Sequence, residues 1–198
     1  MRWIVGISGA SGTIYARRML SVLAEYRPDV FLDIVVSDGG VRVLLEEDQI
    51  ELGKTDCVEK LSGRSNPNAQ FHSNKDIGAC IASGSFKTDG MVIVPCSMST
   101  VGALASGLAD NLLRRAADVT LKEARPLILA PRETPLNQIH LKNLLTLSQA
   151  GAVIVPCMPG FYSRPKSLEE LVDHMVMRLL DQMKIELALS PRWGLSNE

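Results

Sequence analysis

The sequence predicts an α/β fold in which a parallel sheet carries helices on both faces. Short apolar runs rich in valine and isoleucine alternate with segments of helical periodicity. The apolar runs are five to seven residues long, which is the length of a buried strand. Strands that alternate with helices form parallel sheets whose connecting helices cover both faces. We therefore expect one compact domain over residues 1–198.

The predicted elements follow one another with short connections. The expected strands are residues 2–7, 30–36, 90–95, 126–131 and 152–156. The expected helices lie near residues 12–25, 39–48, 99–107, 110–124, 138–150 and 167–184. The last helix has the clearest start, because Ser167 and Glu170 form a capping box before a run of apolar residues at helical spacing. Residues 51–75 are polar and contain Gly63 and Pro67, so we expect an irregular excursion there.

The composition argues against several classes of function. The net charge is −1 and the sequence has no basic or acidic block, so neither nucleic acid nor a membrane is an expected partner. The first apolar run is too short for a signal peptide, and we expect a cytoplasmic protein. The four cysteines lack metal-ligand spacing and are expected to be reduced thiols. The histidines His72, His140 and His174 lack such spacing too, so we expect surface or packing roles and no metal site.

The turn Gly6–Gly12 joins the first strand to the first helix. Backbone N–H groups of such a turn, together with the helix N-terminus, attract an anion, usually a phosphate. The spacing G-x-x-G-x-x-G differs from the dinucleotide pattern G-x-G-x-x-G and favours a mononucleotide. A tight turn without a ligand is the alternative.

Small polar residues follow the strand at 90–95. The hydroxyl groups of Ser97, Ser99 and Thr100 either cap the next helix only or also bind a ligand at the end of the strand. Cys96 beside them is expected to be a packed thiol, because no neighbouring histidine or cation would activate it.

A charged pair, Arg132-Glu133, follows the strand at 126–131. Active sites form at the carboxyl ends of buried parallel strands. Arginine can clamp a phosphate with two hydrogen bonds, and a neighbouring glutamate can transfer protons. We favour such a function over a surface loop that carries an ion pair.

Two helices carry further cations. Arg115, Asp118 and Lys122 share one helix face by their spacing, which indicates either a solvated ion-pair stripe or a cationic wall for a phosphate. Arg178 lies at the edge of the apolar face of the last helix, where we expect it to pair with a carboxylate or a phosphate.

These segments together resemble the successive blocks of the UbiX-type flavin prenyltransferases, a family that includes proteins once regarded as components of phenylacrylic or hydroxyarylic acid decarboxylases. The matching blocks are Gly9-Ala10-Ser11-Gly12, Pro95-Cys96-Ser97-Met98-Ser99-Thr100, the helix Arg115–Glu123, Arg132-Glu133-Thr134-Pro135 and Gly160-Phe161-Tyr162. The resemblance extends from about residue 2 to Trp193. It implies a Rossmann-like (flavodoxin-like) three-layer sandwich and a homo-oligomer, usually a dodecamer.

The resemblance also implies FMN as cofactor and dimethylallyl monophosphate as substrate. The implied FMN contacts are Gly9, Ala10, Ser11, Ser37, Ser97, Met98, Ser99, Thr100 and Arg132. The implied surroundings of the prenyl phosphate are Lys122, Arg132, Glu133, Tyr162 and Arg178. Glu47 matches a family carboxylate that approaches the flavin ring from a neighbouring protomer. In contrast, Asp38-Gly39-Gly40 departs from the Lys/Trp-Ala-small pattern common in the family.

The implied reaction joins a dimethylallyl group to N5 and C6 of reduced FMN and supplies prenylated FMN to a UbiD-type decarboxylase. Cations and a phenol around the leaving phosphate would stabilise its developing charge without a metal, and Glu133 would act as acid or base. A competing hypothesis is an FMN-dependent decarboxylase of the cysteine-decarboxylating type, which carries an upstream catalytic histidine, whereas His72 is the first histidine here. A non-catalytic decarboxylase component and direct decarboxylation of an aromatic acid are two further hypotheses.

Overall fold

Six parallel strands form one sheet at the centre of the computed structural model, which describes residues 1–53 and 55–194. The strands are β1 Arg2–Ile7, β2 Phe31–Val36, β3 Ala69–His72, β4 Gly90–Cys96, β5 Leu127–Pro131 and β6 Val153–Ile154. Their order across the sheet is β3-β2-β1-β4-β5-β6. Without β3, this is the flavodoxin order 2-1-3-4-5, and the order reverses between β1 and β4. Open parallel sheets bind ligands at such a point.

Seven α-helices in the described part of the chain pack against the two faces of this sheet. They are α1 Thr13–Tyr26, α2 Asp38–Asp48, α3 Cys57–Ser62, α4 Met98–Ala105, α5 Leu112–Lys122, α6 Gln138–Gln149 and α7 Leu168–Gln182. Alternate strand residues enter different cores: Val92 and Val94 of β4 pack with α1 and α7, whereas Met91 and Ile93 pack with α4 and α5. Strands buried on both faces have continuous apolar sequences, and the predicted three-layer α/β sandwich is confirmed.

The predicted elements are confirmed with ends that differ by at most two residues. β6 is shorter than the predicted strand because Pro156, which has no N–H, follows it closely. At the start of α7, Ser167 accepts a hydrogen bond from the backbone of Glu170 at 3.3 Å, whereas the Glu170 carboxylate accepts from Lys166. None of the helices in residues 1–53 and 55–194 has the length and apolar character needed to cross a membrane.

The expectation of an irregular segment at residues 51–75 was wrong in part. This segment contains α3, which buries Leu61, and β3, which pairs in parallel with β2 from Ala69 to His72. β3 is a short edge strand whose Gln70 is exposed, so its sequence lacks the continuous apolar run of the central strands. A search for buried strands in the sequence therefore does not detect β3.

Candidate functional site

The predicted cofactor residues meet at the carboxyl edge of the sheet, around a cavity of about 290 Å³. The predicted FMN contacts that line this cavity are Gly9, Ser37, Ser97, Ser99 and Thr100. Ala10, Ser11 and Met98 belong to the same turns. The structure thus brings the ends of β1, β2 and β4 together on the two sides of the point where the strand order reverses.

Three helix N-termini point at this cavity. Ser37, Ser97 and Asn111 precede α2, α4 and α5, and the side chain of each accepts a hydrogen bond from a backbone N–H of the first turn, at 3.0, 3.2 and 3.1 Å. Ser37 and Ser97 therefore cap helices and line the cavity at the same time. Helix N-termini carry partial positive charge, so this cavity favours an anionic group such as a phosphate.

Glycines allow the first two turns to touch. A Cβ atom on Gly9 would lie 2.9 Å from the Cα of Gly39, and one on Gly40 would lie 2.7 Å from the carbonyl oxygen of Ile7. No side chain fits at such distances from backbone atoms. The glycines of Asp38-Gly39-Gly40, which depart from the pattern common in the family, thus allow α2 to pack directly on the end of β1.

Ser8 fixes the end of β1 to the end of β4. Its buried hydroxyl donates to the carbonyl of Pro95 at 3.1 Å and accepts from the backbone N–H of Ser97 at 2.7 Å. The β4–β5 pairing shifts register between Ile93 and Cys96, so the Ser8 side chain supplies hydrogen bonds beside an irregular part of the sheet. The sequence analysis did not assign this role to Ser8, because one serine in a Gly-rich turn carries no distinct signal.

Glu47 lies at the N-terminus of α1 of its own chain. Its carboxylate accepts hydrogen bonds from the backbone N–H groups of Gly12 and Thr13, at 2.9 and 3.3 Å, and from the Thr13 hydroxyl at 3.1 Å. Burial raises the pKa of Glu47, but the hydrogen bonds from Ser11, Gly12 and Thr13 outweigh this effect and lower it. The sequence predicted a phosphate at this turn. Within one chain, the anion bound there is the carboxylate of Glu47.

Arg132 and Glu133 follow β5 at the same carboxyl edge. The backbone N–H of Arg132 donates to the carbonyl of Cys96 at 3.2 Å, and the Glu133 carboxylate accepts from the next backbone N–H at 3.0 Å. Burial raises the pKa of Tyr15 in α1, and the positive charge of Arg132 partly opposes this increase. Both side chains of the charged pair are exposed and available to a ligand.

The thiols near this edge are inert, as expected for Cys96. Burial raises the pKa of Cys96, and it raises the pKa of Cys157 to about 12, although Arg132 acts in the opposite direction on Cys157. A thiol with a raised pKa carries almost no thiolate near neutral pH and is a poor nucleophile.

Lys122 lies at the amino edge of the sheet, where the strands begin, opposite the cavity. It is the last residue of α5, before the start of β5, whereas Arg132 follows the end of β5. β5 has five residues, so at 3.3 Å per residue roughly 16 Å separate the two positions. Lys122 pairs with Glu123 there, and its ammonium nitrogen lies 2.8 Å from where a Cβ on Gly84 would be. One chain therefore does not bring Lys122 to the carboxyl-edge cavity.

Tyr162 precedes α7 and Arg178 lies on it, and both are neighbours of His174, in a group that also contains Trp193. The Tyr162 hydroxyl is 3.0 Å from Nε2 of His174, and its ring contacts Trp193 edge-on with a centroid distance of 5.4 Å. Arg178, one turn after His174, donates to Asp181 at 3.1 Å, so its carboxylate partner is present within one chain. His174 was expected to be a surface or packing residue, and it is buried. Trp193 packs on Tyr162 while 80% of its surface stays exposed.

The Arg115–Asp118 pair is a surface ion pair. Their side chains lie 2.7 Å apart, and Arg115 also donates to the carbonyl of Ala82. Two further polar residues line the cavity beside Leu113 of α5: the neighbouring Arg114, and Asn74 from the loop after β3. Sequence reasoning missed both, since neither belongs to a recognised block, although the N-cap Asn111 marks where α5 begins and hence which of its residues face the cavity.

One group among the described residues could offer three metal ligands. The donor atoms of Asp33, His72 and Cys80 all lie within 4.8 Å of one another. The Asp33 carboxylate already accepts hydrogen bonds from His72 at 2.8 Å and from Arg2 at 3.1 Å. We interpret the group as a buried ion-pair network that joins β1, β2 and β3, so His72 has the packing role that the sequence suggested.

Comparison with known proteins identifies a family for the whole of this arrangement. The profile of the Flavoprotein family matches residues 1–180. A curated relative, the flavin prenyltransferase UbiX of Halalkalibacterium halodurans, is 45% identical over 193 residues, which cover 97% of this chain and 93% of the relative.

Solved structures agree with this similarity. A dodecameric FMN-dependent UbiX-like decarboxylase from Escherichia coli O157:H7 superposes with a TM-score of 0.87 at 41% identity, covering 98% of this chain and all of that one. AnUbiX (PadA1), solved in complex with FMN and dimethylallyl pyrophosphate, superposes with a TM-score of 0.86 at 38% identity, covering 99% of this chain and 98% of that one.

Proposed function

Since the chain belongs to the Flavoprotein family and, within it, to the UbiX-type flavin prenyltransferases, we propose that it joins the dimethylallyl group of dimethylallyl monophosphate to N5 and C6 of reduced FMN. The observation that carries this proposal is the carboxyl-edge cavity, where two glycine-lined turns touch and three helix N-termini converge. The exposed pair Arg132-Glu133 follows the adjacent strand β5.

The cavity fits FMN in its chemistry. Close contact between the backbones of Gly9 and Gly39 brings the first two turns together beside the cavity, and the N-termini of α2, α4 and α5 favour a phosphate. Hydroxyl groups from Ser97, Ser99 and Thr100 can hydrogen-bond polar atoms of the cofactor. When bound, reduced FMN supplies the nucleophilic N5 that captures the allyl group.

The chain's own cations and phenol would hold the leaving phosphate. The allylic C–O bond breaks and its electron pair leaves with the phosphate, so negative charge on the phosphate grows in the transition state. Arg178 and the Tyr162 hydroxyl lie on one side of α7, exposed enough to reach a ligand. Donors that bind this charge more tightly in the transition state than in the ground state accelerate the step.

Lys122 would join this site from a neighbouring copy of the chain. Its place at the amino edge of the sheet prevents it from reaching the carboxyl edge of its own chain. The proposed homo-oligomer, a dodecamer, supplies the missing lysine across a contact between protomers. Exposed apolar side chains on α6, including Ile139 and Leu145 at 69% and 59% exposure, and Trp193 offer surface for such contacts.

Glu133 is the proposed acid or base. Capture at N5 and closure of the bond to C6 both change the protonation of the reacting atoms, and a positioned carboxylate can carry these protons. Glu133 lies next to Arg132 at the carboxyl edge, which is the place that the fold gives to catalytic groups. We further propose that the product serves a UbiD-type decarboxylase in the cytoplasm.

Two competing functions fit the sequence less well than prenyl transfer. A decarboxylase of the cysteine-decarboxylating type would need an upstream catalytic histidine, and no histidine precedes His72 in the sequence. A non-catalytic decarboxylase component would have no need of Lys122, Glu133, Tyr162 and Arg178, and all four are present.

Mass analysis of the flavin tests the proposal. The protein is incubated without oxygen with reduced FMN and either dimethylallyl monophosphate or dimethylallyl diphosphate, and the flavin is then released and weighed. We expect a flavin that has gained one prenyl group, and none when the donor is omitted or FMN is left oxidised. Bound FMN that stays unmodified with both donors would refute the proposed activity, and consumption of a cysteinyl peptide would support the cysteine-decarboxylating function instead.

A further inference from the structure

His174 makes two hydrogen bonds that together fix its protonation. It lies in the second turn of α7 and is 6% exposed. Its Nδ1 accepts from the backbone N–H of Gly160 at 3.3 Å, and its Nε2 lies 3.0 Å from the hydroxyl oxygen of Tyr162. Both contacts reach into the segment between β6 and α7.

The first of these bonds decides the direction of the second. A backbone N–H can only donate, so Nδ1 must present a lone pair, and the neutral imidazole then carries its hydrogen on Nε2. Nε2–H therefore donates to the oxygen of Tyr162, and the phenolic hydrogen points elsewhere. Burial, and then the charge of Arg178, lower the pKa of His174 and keep this neutral form at neutral pH.

The surroundings of Tyr162 hold its ring in place while leaving the hydroxyl accessible. The ring meets His174 and Trp193 edge-on, at centroid distances of 5.5 and 5.4 Å, and 45% of the residue is exposed. A phenol oxygen that accepts one hydrogen bond becomes a stronger donor through its own O–H, because successive hydrogen bonds polarise one another.

We propose that His174 is a positioning residue that directs the hydroxyl hydrogen of Tyr162 toward the leaving phosphate of the prenyl donor. The proposal rests on the proposed function, because that function places the prenyl phosphate next to Tyr162. His174 does not touch the substrate; it sets which way the phenol donates. With the opposite tautomer, the phenol would donate to His174 and have no hydrogen for the phosphate.

A double-mutant cycle separates this role from simple packing. We expect H174L to lower kcat for prenyl transfer about tenfold, the scale of one net hydrogen bond. Y162F should lower kcat by at least as much, and H174L should add nothing further in the Y162F background. H174Q, whose side-chain N–H can donate to the phenol, should recover most of the activity. The packing control V176A changes a fully buried residue of the same helix, and its effect should simply add to that of Y162F.

The tautomer can be measured without any turnover. Protein labelled with ¹⁵N in its imidazole rings has three histidines, so His174 is assigned from the signals lost in H174Q. We expect a protonated Nε2 and an unprotonated Nδ1 at neutral pH. The reverse assignment, or additive losses in the H174L and Y162F cycle with an active wild type, would overturn the inference and leave the proposed function intact. A wild type that makes no prenylated flavin, with the expected tautomer, would overturn the proposed function and this assignment with it.

Discussion

Substitution of Gly9 by alanine tests the contact between the first two turns. The added Cβ would lie 2.9 and 3.0 Å from two backbone atoms of Gly39, about 0.5 Å short of the 3.4 Å at which ordinary van der Waals contact begins. Gly9 does not have a positive φ, so alanine brings no backbone strain of its own. The clash cannot be relieved by a side-chain rotation, because both atoms belong to the backbone. The turn or the start of α2 must move.

The expected cost follows from this geometry. Overpacking of a well-packed site destabilises by about 1–3 kcal/mol. In the control Gly53→Ala, the glycine also lacks a positive φ, and the added Cβ would meet no atom of the described residues within 4 Å. Both variants restrict the unfolded chain equally, since glycine becomes alanine in each, so the difference between them isolates the clash.

Two measurements check this expectation. Urea denaturation should give a free energy of unfolding about 1–3 kcal/mol lower for G9A than for G53A. Titration with FMN should show an affinity at least about tenfold weaker for G9A, because a shift of the turn displaces the groups that line the cavity. Equal stability and equal FMN affinity in the two variants would refute the close contact and the site built on it.

Four further predictions concern charged residues. Glu133→Gln should retain FMN binding and lower product formation by at least ~100-fold, the scale of acid–base catalysis. Lys122→Ala and Arg178→Ala should each lose roughly 2–4 kcal/mol of transition-state stabilisation in kcat/KM with FMN affinity unchanged. Since Lys122 is proposed to act across a contact between protomers, co-assembled K122A and E133Q chains should regain activity. The low pKa of Glu47 stabilises the fold above its ordinary value of 4.5, so stability should fall as acid protonates it, and less so in E47Q.

The predictions for Glu133, for Lys122 and Arg178, and for Glu47 can each be contradicted by a specific result. Undiminished turnover in E133Q would remove that residue from the mechanism. Loss of FMN affinity in K122A or R178A, with normal affinity for the prenyl phosphate, would show that the two phosphate sites are assigned wrongly. Glu46→Gln changes an exposed carboxylate of the same helix and should keep the acid dependence of the wild type. If the stability of E47Q fell in acid as much as that of the wild type, Glu47 would not be the source of this pH dependence.

Much of the fold could be predicted because the central strands bury both faces. β4 and β5 have continuous apolar sequences, and β1 and β2 depart from this only at Arg2 and Asp33. Such runs separated by helices leave few topologies open. The edge strand β3 escaped because a four-residue strand with partly exposed side chains carries little apolar signal. Its pairing depends on a neighbour 37 residues away, Leu32 with Ala69, which no local pattern contains.

The candidate site could be predicted only in part. Turns such as Gly9–Gly12 and Ser97–Thr100 carry local patterns and lie at the ends of predicted strands, so their meeting at one edge follows from a parallel sheet. The predicted helix at 110–124 and strand at 126–131 already place Lys122 at the amino edge, whereas the resemblance assigns it to the prenyl phosphate. A contact between protomers is proposed to reconcile the two, and such a contact leaves no local pattern in the sequence. The contact between His174 and Tyr162 spans a loop and a helix, and a sequence gives no direction to side chains across such a distance.

The two outermost strands of the sheet, β3 and β6, are too short to act as templates on which another chain could pair. β3 offers four residues and β6 only two, with Pro156 close behind. A second chain would find few free backbone groups with which to extend the sheet, and such edges resist aggregation. In the proposed homo-oligomer, copies of this chain would therefore contact one another through side chains on helices and loops. Assembly and folding would then depend on different residues, so a surface redesign could yield isolated, folded protomers that lack only the proposed contribution of Lys122 from a neighbouring protomer.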